Sequence, residues 1–226
     1  MLPRIREPEL MEDAEQARAY AQADFEQPHS NFIRLFGEAF PEVDVVGQVI
    51  DLGCGPGDIA IRFARAFPRC TIHGIDGSAA MLDAGEALLA RGADVRDRVR
   101  LIHGLLPHAT MPLERYDAVI SNSLLHQLHD PQTLWECVKR FAAPGALVFV
   151  MDLRRPASLE EAERLRSEYV SNEPDVLQRD FYKSLLAAFE PEEIQAQLAT
   201  ADLSHFIVKS IGDRLVTVSG RIGNVA

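Results

Sequence analysis

Between Val49 and Phe67 the chain reads VIDLGCGPGDIAIRFARAF. An apolar run from Val45 ends in Asp51, and apolar residues at helical spacing (Ile59, Phe63, Ala64, Phe67) follow. Between the two patterns stand Gly53, Gly55, Pro56 and Gly57. Period two turning into period 3.6 marks a strand that becomes a helix. Three glycines at that junction mark a turn with strained dihedrals, where something must approach the backbone too closely for a side chain. Few folds place such a turn usefully. In an open parallel sheet it lies at the C-terminal edge of the strands, where ligands bind.

The rest of the chain fits such a sheet. Further strands are expected at Cys70–Ile75, Val99–His103, Tyr116–Asn122 and Ala146–Asp152. Helices are expected over 57–67, 78–91 and 131–142 between them. Val/Ile-rich strands alternating with helical spans argue for a doubly wound α/β fold, Rossmann-like, with helices on both faces. Ahead of it, residues 10–26 (Leu10, Ala14, Ala17, Tyr20, Ala21, Phe25) and 30–39 carry helical periodicity. After Asp152 the alternation stops, and 157–200 reads as helices punctuated by Pro156, Pro174 and Pro191. Phe206–Ser210 and Leu215–Ser219, joined by a short Gly-Asp link, read as a hairpin. The division expected is a helical cap at 1–44, a core at 45–152, a cap insertion at 153–200 and a terminal hairpin at 201–226.

Composition narrows the function classes. The chain has 226 residues, 47% of them hydrophobic, so it can build a full core. Its net charge of −11 gives no attraction for phosphate backbones, which argues against nucleic acid as a partner. No apolar run has membrane length, and the charged start MLPRIREPELMED lacks a secretory apolar region. Three separated cysteines, Cys54, Cys70 and Cys137, form no zinc or disulfide pattern. A cytoplasmic chain without a metal is the reading.

The second strand ends in Gly74-Ile75-Asp76-Gly77-Ser78. A carboxylate there, beside the glycine turn, can accept hydrogen bonds from both hydroxyls of a ribose. The dinucleotide fingerprint G-x-G-x-x-G is not met, because its third glycine falls on Asp58. An acid at that helix start repels a pyrophosphate. Asp51, just before the glycines, suits an ammonium group. An NAD-linked oxidoreductase is thereby opposed.

As a set, four motifs resemble the class I S-adenosylmethionine-dependent methyltransferases of small-molecule type. These are Asp51-x-Gly53-x-Gly55-x-Gly57, then Gly74-Ile75-Asp76 with Ser78 and Met81, then YDAVISNSLLHQLHDP from Tyr116, then Pro144-Gly145-Ala146-Leu147. The resemblance covers about residues 45–152. It implies a seven-stranded sheet whose last strand is antiparallel, with variable substrate caps outside the core. It implies S-adenosylmethionine as cofactor and a small-molecule methyl acceptor. Gly53, Cys54 and Gly55 would supply backbone beside the methionyl and ribose parts, and Asp51 would face the amino group. Asp76 would hold the ribose, while Gly77 and Met81 flank the adenine. Leu105 and Leu106 stand where many members carry an acid, so adenine would be held there by apolar contact. Ser121 and Asn122 would lie near the methionine moiety. His126, just past the fourth strand, is the candidate general base, with a helix-cap role as its alternative. Tyr20, on the N-terminal segment, is the second candidate catalytic residue, with core packing as its alternative. A cofactor-binding module without turnover has the same motifs.

Overall fold

The computed structural model describes residues 2–10, 20, 26–41 and 43–223. Most of the helix expected over 10–26, including Ala14, Ala17, Ala21 and Phe25, lies outside the described residues.

Seven strands form one sheet: β1 (Gly47–Leu52), β2 (Cys70–Asp76), β3 (Val99–His103), β4 (Tyr116–Asn122), β5 (Ala142–Leu153), β6 (Ile207–Ile211) and β7 (Leu215–Arg221). Their order is β3-β2-β1-β4-β5-β7-β6. β1 to β5 pair in parallel, and β7 runs antiparallel to both β5 and β6. The hairpin and the antiparallel last strand agree with the sequence reading. β5 starts earlier than the expected Ala146. Its pairing with β4 jumps from Tyr116–Ala142 to Ala118–Leu147, and the extra residues, with Gly145 at positive φ, bulge out at Pro144-Gly145.

The helices are α1 (Glu26–Ala39), α2 (Asp58–Ala66), α3 (Ala79–Arg91), α4 (Gln132–Phe141), α5 (Leu159–Tyr169), α6 (Asp175–Ala187) and α7 (Pro191–Thr200). Local chemistry sets several starts. Ser78 Oγ accepts from Met81 N at the head of α3, and Ser158 Oγ accepts from Glu161 N at the head of α5. Glu190 and Glu193 form a reciprocal capping box on α7, with Pro191 in the first turn.

Strand side chains alternate between two cores, as a half-turn period requires. Val148 and Val150 face α4 and α7; Phe149 and Met151 face α1 and α2. On the first side Trp135 is fully buried and its indole N–H donates to Gln197 Oε1 at 3.1 Å. On the second, Phe36 is the hub of an aromatic cluster, with Phe63, Phe40, Phe67 and Phe149 centroids at 4.8–5.6 Å.

Two parts of the expected cap lie elsewhere. α1 is part of the helical layer on the sheet, because Phe32 and Phe36 are buried against Phe149. α7 is part of the opposite layer, with Ile194 and Leu198 in the same core as Trp135. Polar helices with one apolar stripe read alike in sequence whichever surface they cover. Over the strand ends runs an extended segment instead, residues 2–10. Its Ile5 N donates to Leu186 O, and Arg4 Nε donates to Ala187 O, both at the end of α6. Among the described residues no helix is long and apolar enough to cross a membrane.

Phe36→Ala removes the hub of the aromatic cluster and is expected to cost about 3–5 kcal/mol in denaturant unfolding. A loss below about 1 kcal/mol would show that the cluster does not hold α1 to the sheet.

Candidate active site

In this strand order the chain runs outward from β1 to β3 on one side, then crosses to β4 on the other. The C-terminal ends of β1 and β4 therefore diverge into a crevice, the usual ligand position of an open α/β sheet. Asp51, Gly53, Cys54, Gly55, Asp76, Met81 and Asn122 line one cleft there.

The turn after β1 is tied to β2. Gly53 N and Cys54 N both donate to Ile75 O, at 2.9 and 3.0 Å. Gly55 N donates to Asp76 Oδ2 and Ser78 N donates to Asp76 Oδ1, each at 2.8 Å. Asp76 is thereby fixed in orientation, and each of its oxygens keeps capacity to accept once more. Gly55 has φ +53°, and a Cβ built on it meets nothing within 4 Å. The backbone there borders open space. Gly53 is constrained differently: at φ +69°, its Cβ would lie 2.7 Å from Leu124 Cδ1.

Asp51 is 1% exposed, and neither carboxylate oxygen has a hydrogen-bond partner. Asn122 Oδ1, also buried, has none. Burial, and secondarily the Asp76 charge, holds the Asp51 carboxyl well above the usual carboxylate range. Asp76 is raised too, because burial outweighs its N–H donors. Burial also raises the Cys54 thiol well above its ordinary value, so Cys54 is a poor nucleophile.

Other expected residues sit away from the cleft. Ser121 is fully buried, and its hydroxyl donates to Leu52 O at 2.8 Å. Leu105 is 58% exposed and lies against Gly77, while Leu106 packs onto the core; neither lines the cleft, nor does Gly77. Gly77 instead gives room to Leu10 and Leu105, whose methyls would lie 2.7–2.8 Å from its Cβ.

Tyr20 lines the cleft. Burial, then Asp58, Asp76 and Asp152, pushes its phenol up to about 12, so it can donate a hydrogen bond but is no base near neutral pH. His126 does not fit the base role. It is 3% exposed and absent from the cleft lining. Its Nδ1 lies 2.5 Å from Asp152 Oδ1 and its Nε2 3.3 Å from Glu7 Oε1. Burial alone would lower its pKa, but Asp152 and Glu7 outweigh it and raise the value to about 10. The ring is a held cation rather than a free base.

The cleft also takes Glu9 and Leu10 from the N-terminal segment, Asp58 from the head of α2, and Ser123, Leu124 and Gln127 from the loop after β4. Ser123 adopts φ +57°, uncommon for a non-glycine residue. The motif from Tyr116 contains Ser123, Leu124 and Gln127, but no sequence pattern marks Glu9. For the surroundings of His126 the available signal was Asp152, an acid at the C-terminal end of β5 on the same edge as Asp51 and Asp76.

With this geometry in place, comparison with known proteins is informative. The profile of a family described as a methyltransferase domain matches residues 50–148. An uncharacterized methyltransferase of Mycobacterium tuberculosis is 31% identical over 109 residues, 48% of this chain and 52% of that protein. A trans-aconitate 2-methyltransferase of Methylobacterium radiotolerans is 35% identical over 113 residues, 50% of this chain and 39% of that protein. The chain thus spans about half or less of the length of these relatives. A crystal structure of a putative S-adenosylmethionine-dependent methyltransferase from Methanococcus maripaludis superposes with a TM-score of 0.69 at 17% identity, over 98% of this chain and 99% of that one. Residues 50–148 thus match a methyltransferase domain, and the chain shares its fold with a solved S-adenosylmethionine-dependent methyltransferase.

Asp51 generates a stability prediction. Burial favours its neutral form, so its contribution to stability is fully present below the ordinary carboxylate pKa and is lost as pH rises through the raised value. Asp51→Asn removes that loss. At pH 7.5 the ligand-free variant is expected to be about 1–3 kcal/mol more stable than wild type in denaturant unfolding. Equal or lower stability at that pH would contradict the burial argument.

Proposed function

We propose that the protein is an S-adenosylmethionine-dependent methyltransferase acting on a small, uncharged acceptor. The observation that carries this reading is the set of buried, unpartnered oxygens on Asp51 and Asn122 beside the open Gly55 backbone. Such groups are expensive unless a ligand satisfies them. An ammonium group matches Asp51. A vicinal diol matches Asp76, whose two oxygens are aimed by Gly55 N and Ser78 N. Met81 offers an apolar contact for a purine. S-Adenosylmethionine presents all three features.

Bound there, S-adenosylmethionine supplies a methyl group that passes without its bonding electrons to an acceptor lone pair, while the C–S pair stays on sulfur. The protein's own part is then alignment and exclusion of water. Asp51 and Asp76 fix the two ends of the cofactor. Asn122, Ser123, Gln127 and Tyr20 line the same cleft and are the polar groups available to an acceptor. A proton released by the acceptor goes to water at the open side of the cleft, since His126 is outside the cleft lining and both its ring nitrogens face carboxylates.

The charge of the cleft argues against an anionic acceptor. Among the described residues its lining includes Glu9, Asp51, Asp58 and Asp76, with no Lys, Arg or His. Asp58 is balanced by Arg62, whose Nε donates to it at 2.7 Å. A tricarboxylate such as trans-aconitate would find no cation in that lining.

Calorimetry with S-adenosylhomocysteine tests the reading. Micromolar-range binding is expected. Asp76→Ala removes two charge-assisted hydrogen bonds and should weaken binding roughly a hundredfold. Because an ammonium favours ionised Asp51, binding should release a proton and tighten as pH rises through the raised Asp51 value. No binding, or binding of NADH in its place, would overturn the proposal.

A further inference from the structure

The His126 ring is paired on both nitrogens in a way that methyl transfer does not use. It lies between two carboxylates from distant parts of the chain. Asp152 at the end of β5 takes Nδ1 through Oδ1 and accepts the His126 backbone N–H through Oδ2 at 3.2 Å. Glu7 lies on the extended N-terminal segment and faces Nε2. Glu7 also accepts from Ser184 Oγ at 3.0 Å, on α6. On either side of Glu7 the same segment grips the same loop. Arg4 donates to His126 O at 2.8 Å and to Leu128 O at 3.0 Å, with its guanidinium stacked 3.9 Å over the Phe189 ring. Glu9 accepts from His129 N at 2.6 Å, and Glu7 O meets His129 Nε2 at 2.8 Å. The segment continues into Glu9 and Leu10, which line the cofactor cleft.

We infer that His126 is a positioning residue: it latches residues 4–9 to the sheet edge and so holds Glu9 and Leu10 as one wall of the cofactor cleft. That the wall serves S-adenosylmethionine rests on the function proposed above; the latch itself does not. The logic is electrostatic. A buried carboxylate on a mobile-length segment is stabilised only while its cationic partner is in reach, so segment and loop dock together or not at all. Ser184 alone cannot neutralise Glu7. The contribution of the pair is full below the ordinary histidine value near 6.5 and is lost progressively as pH rises to the held value of about 10. The charged groups facing this ring are Asp152 on β5 and Glu7 and Arg4 on the segment, with Arg155 and Glu193 next to Arg4.

Limited trypsin cleavage after Arg4 and Arg6, followed by mass spectrometry on the full chain, reads segment release directly. Glu7→Gln leaves His126 and Asp152 paired and does not threaten the core; His126→Gln keeps ring-sized polarity without the charge. Both are expected to speed cleavage at least roughly tenfold at pH 7.5, and the double variant to add little to either, since one pair is being broken. Wild-type cleavage, corrected against a peptide substrate, should approach the variants' rate between pH 9 and pH 10.5. S-Adenosylhomocysteine should bind at least roughly tenfold more weakly to both variants, with turnover at saturating cofactor changed less than its KM. Equal cleavage of wild type and Glu7→Gln, or additive effects in the double variant, would overturn the latch. Accelerated cleavage in both single variants, together with a wild-type chain that binds no adenosyl ligand, would instead refute the function and leave the latch standing.

Discussion

A buried carboxylate without a partner organises this molecule. Asp51 ends the first strand with both oxygens out of water and unbonded. Such a group persists because the surrounding structure fixes it, and in the function proposed above a ligand meets it. The turn that follows cannot close over it: Gly55 leaves open space where a side chain would stand. Asp76 cannot turn toward it, since two backbone N–H groups hold its oxygens. The sheet supplies rigidity, with Gly53 and Cys54 both bonded to Ile75 across to β2. The site is thus a set of strand ends held apart, with unmet polar demand in the gap.

The same edge carries a second buried charge arrangement, and its logic is opposite. Asp152 and Glu7 are also acids out of water, but their partner, His126, is internal. One acid has no partner in the chain; the other two are satisfied by the fold. The two arrangements are adjacent because all of these groups sit at or over the C-terminal ends of parallel strands. Helix N-termini and diverging loops there give the chain freedom to place charge without disturbing the two cores beneath.

Much of this was legible in the residues. The switch from period two to 3.6 around Gly53–Gly57, the acid after β2 and the Gly-Asp hairpin are local patterns, and local patterns survive into the structure. The register jump at Pro144-Gly145 was not visible, because it depends on what β4 offers across the gap. The surroundings of His126 were not visible for the same reason. Its neighbours in sequence, Leu125 and Gln127, say nothing of Glu7 and Asp152, which lie 119 and 26 residues away. Ser121 is spent on Leu52 O, a partner 69 residues distant. The helices outside the strand alternation had amphipathic patterns that fit a lid or a layer equally. Only the aromatic contacts of Phe36 and the burial of Ile194 and Leu198 decide for layers.

The central claim is that Asp51 is held uncharged by its surroundings until a ligand cation arrives. Infrared difference spectroscopy of ¹³C-carboxyl aspartate-labelled protein reads that directly. On adding S-adenosylhomocysteine at mildly acidic pH, a protonated carboxyl band should vanish as a carboxylate band appears, and Asp51→Asn should abolish the pair. A bound complex in which no carboxyl band changes, or the same change in Asp51→Asn, would contradict the account.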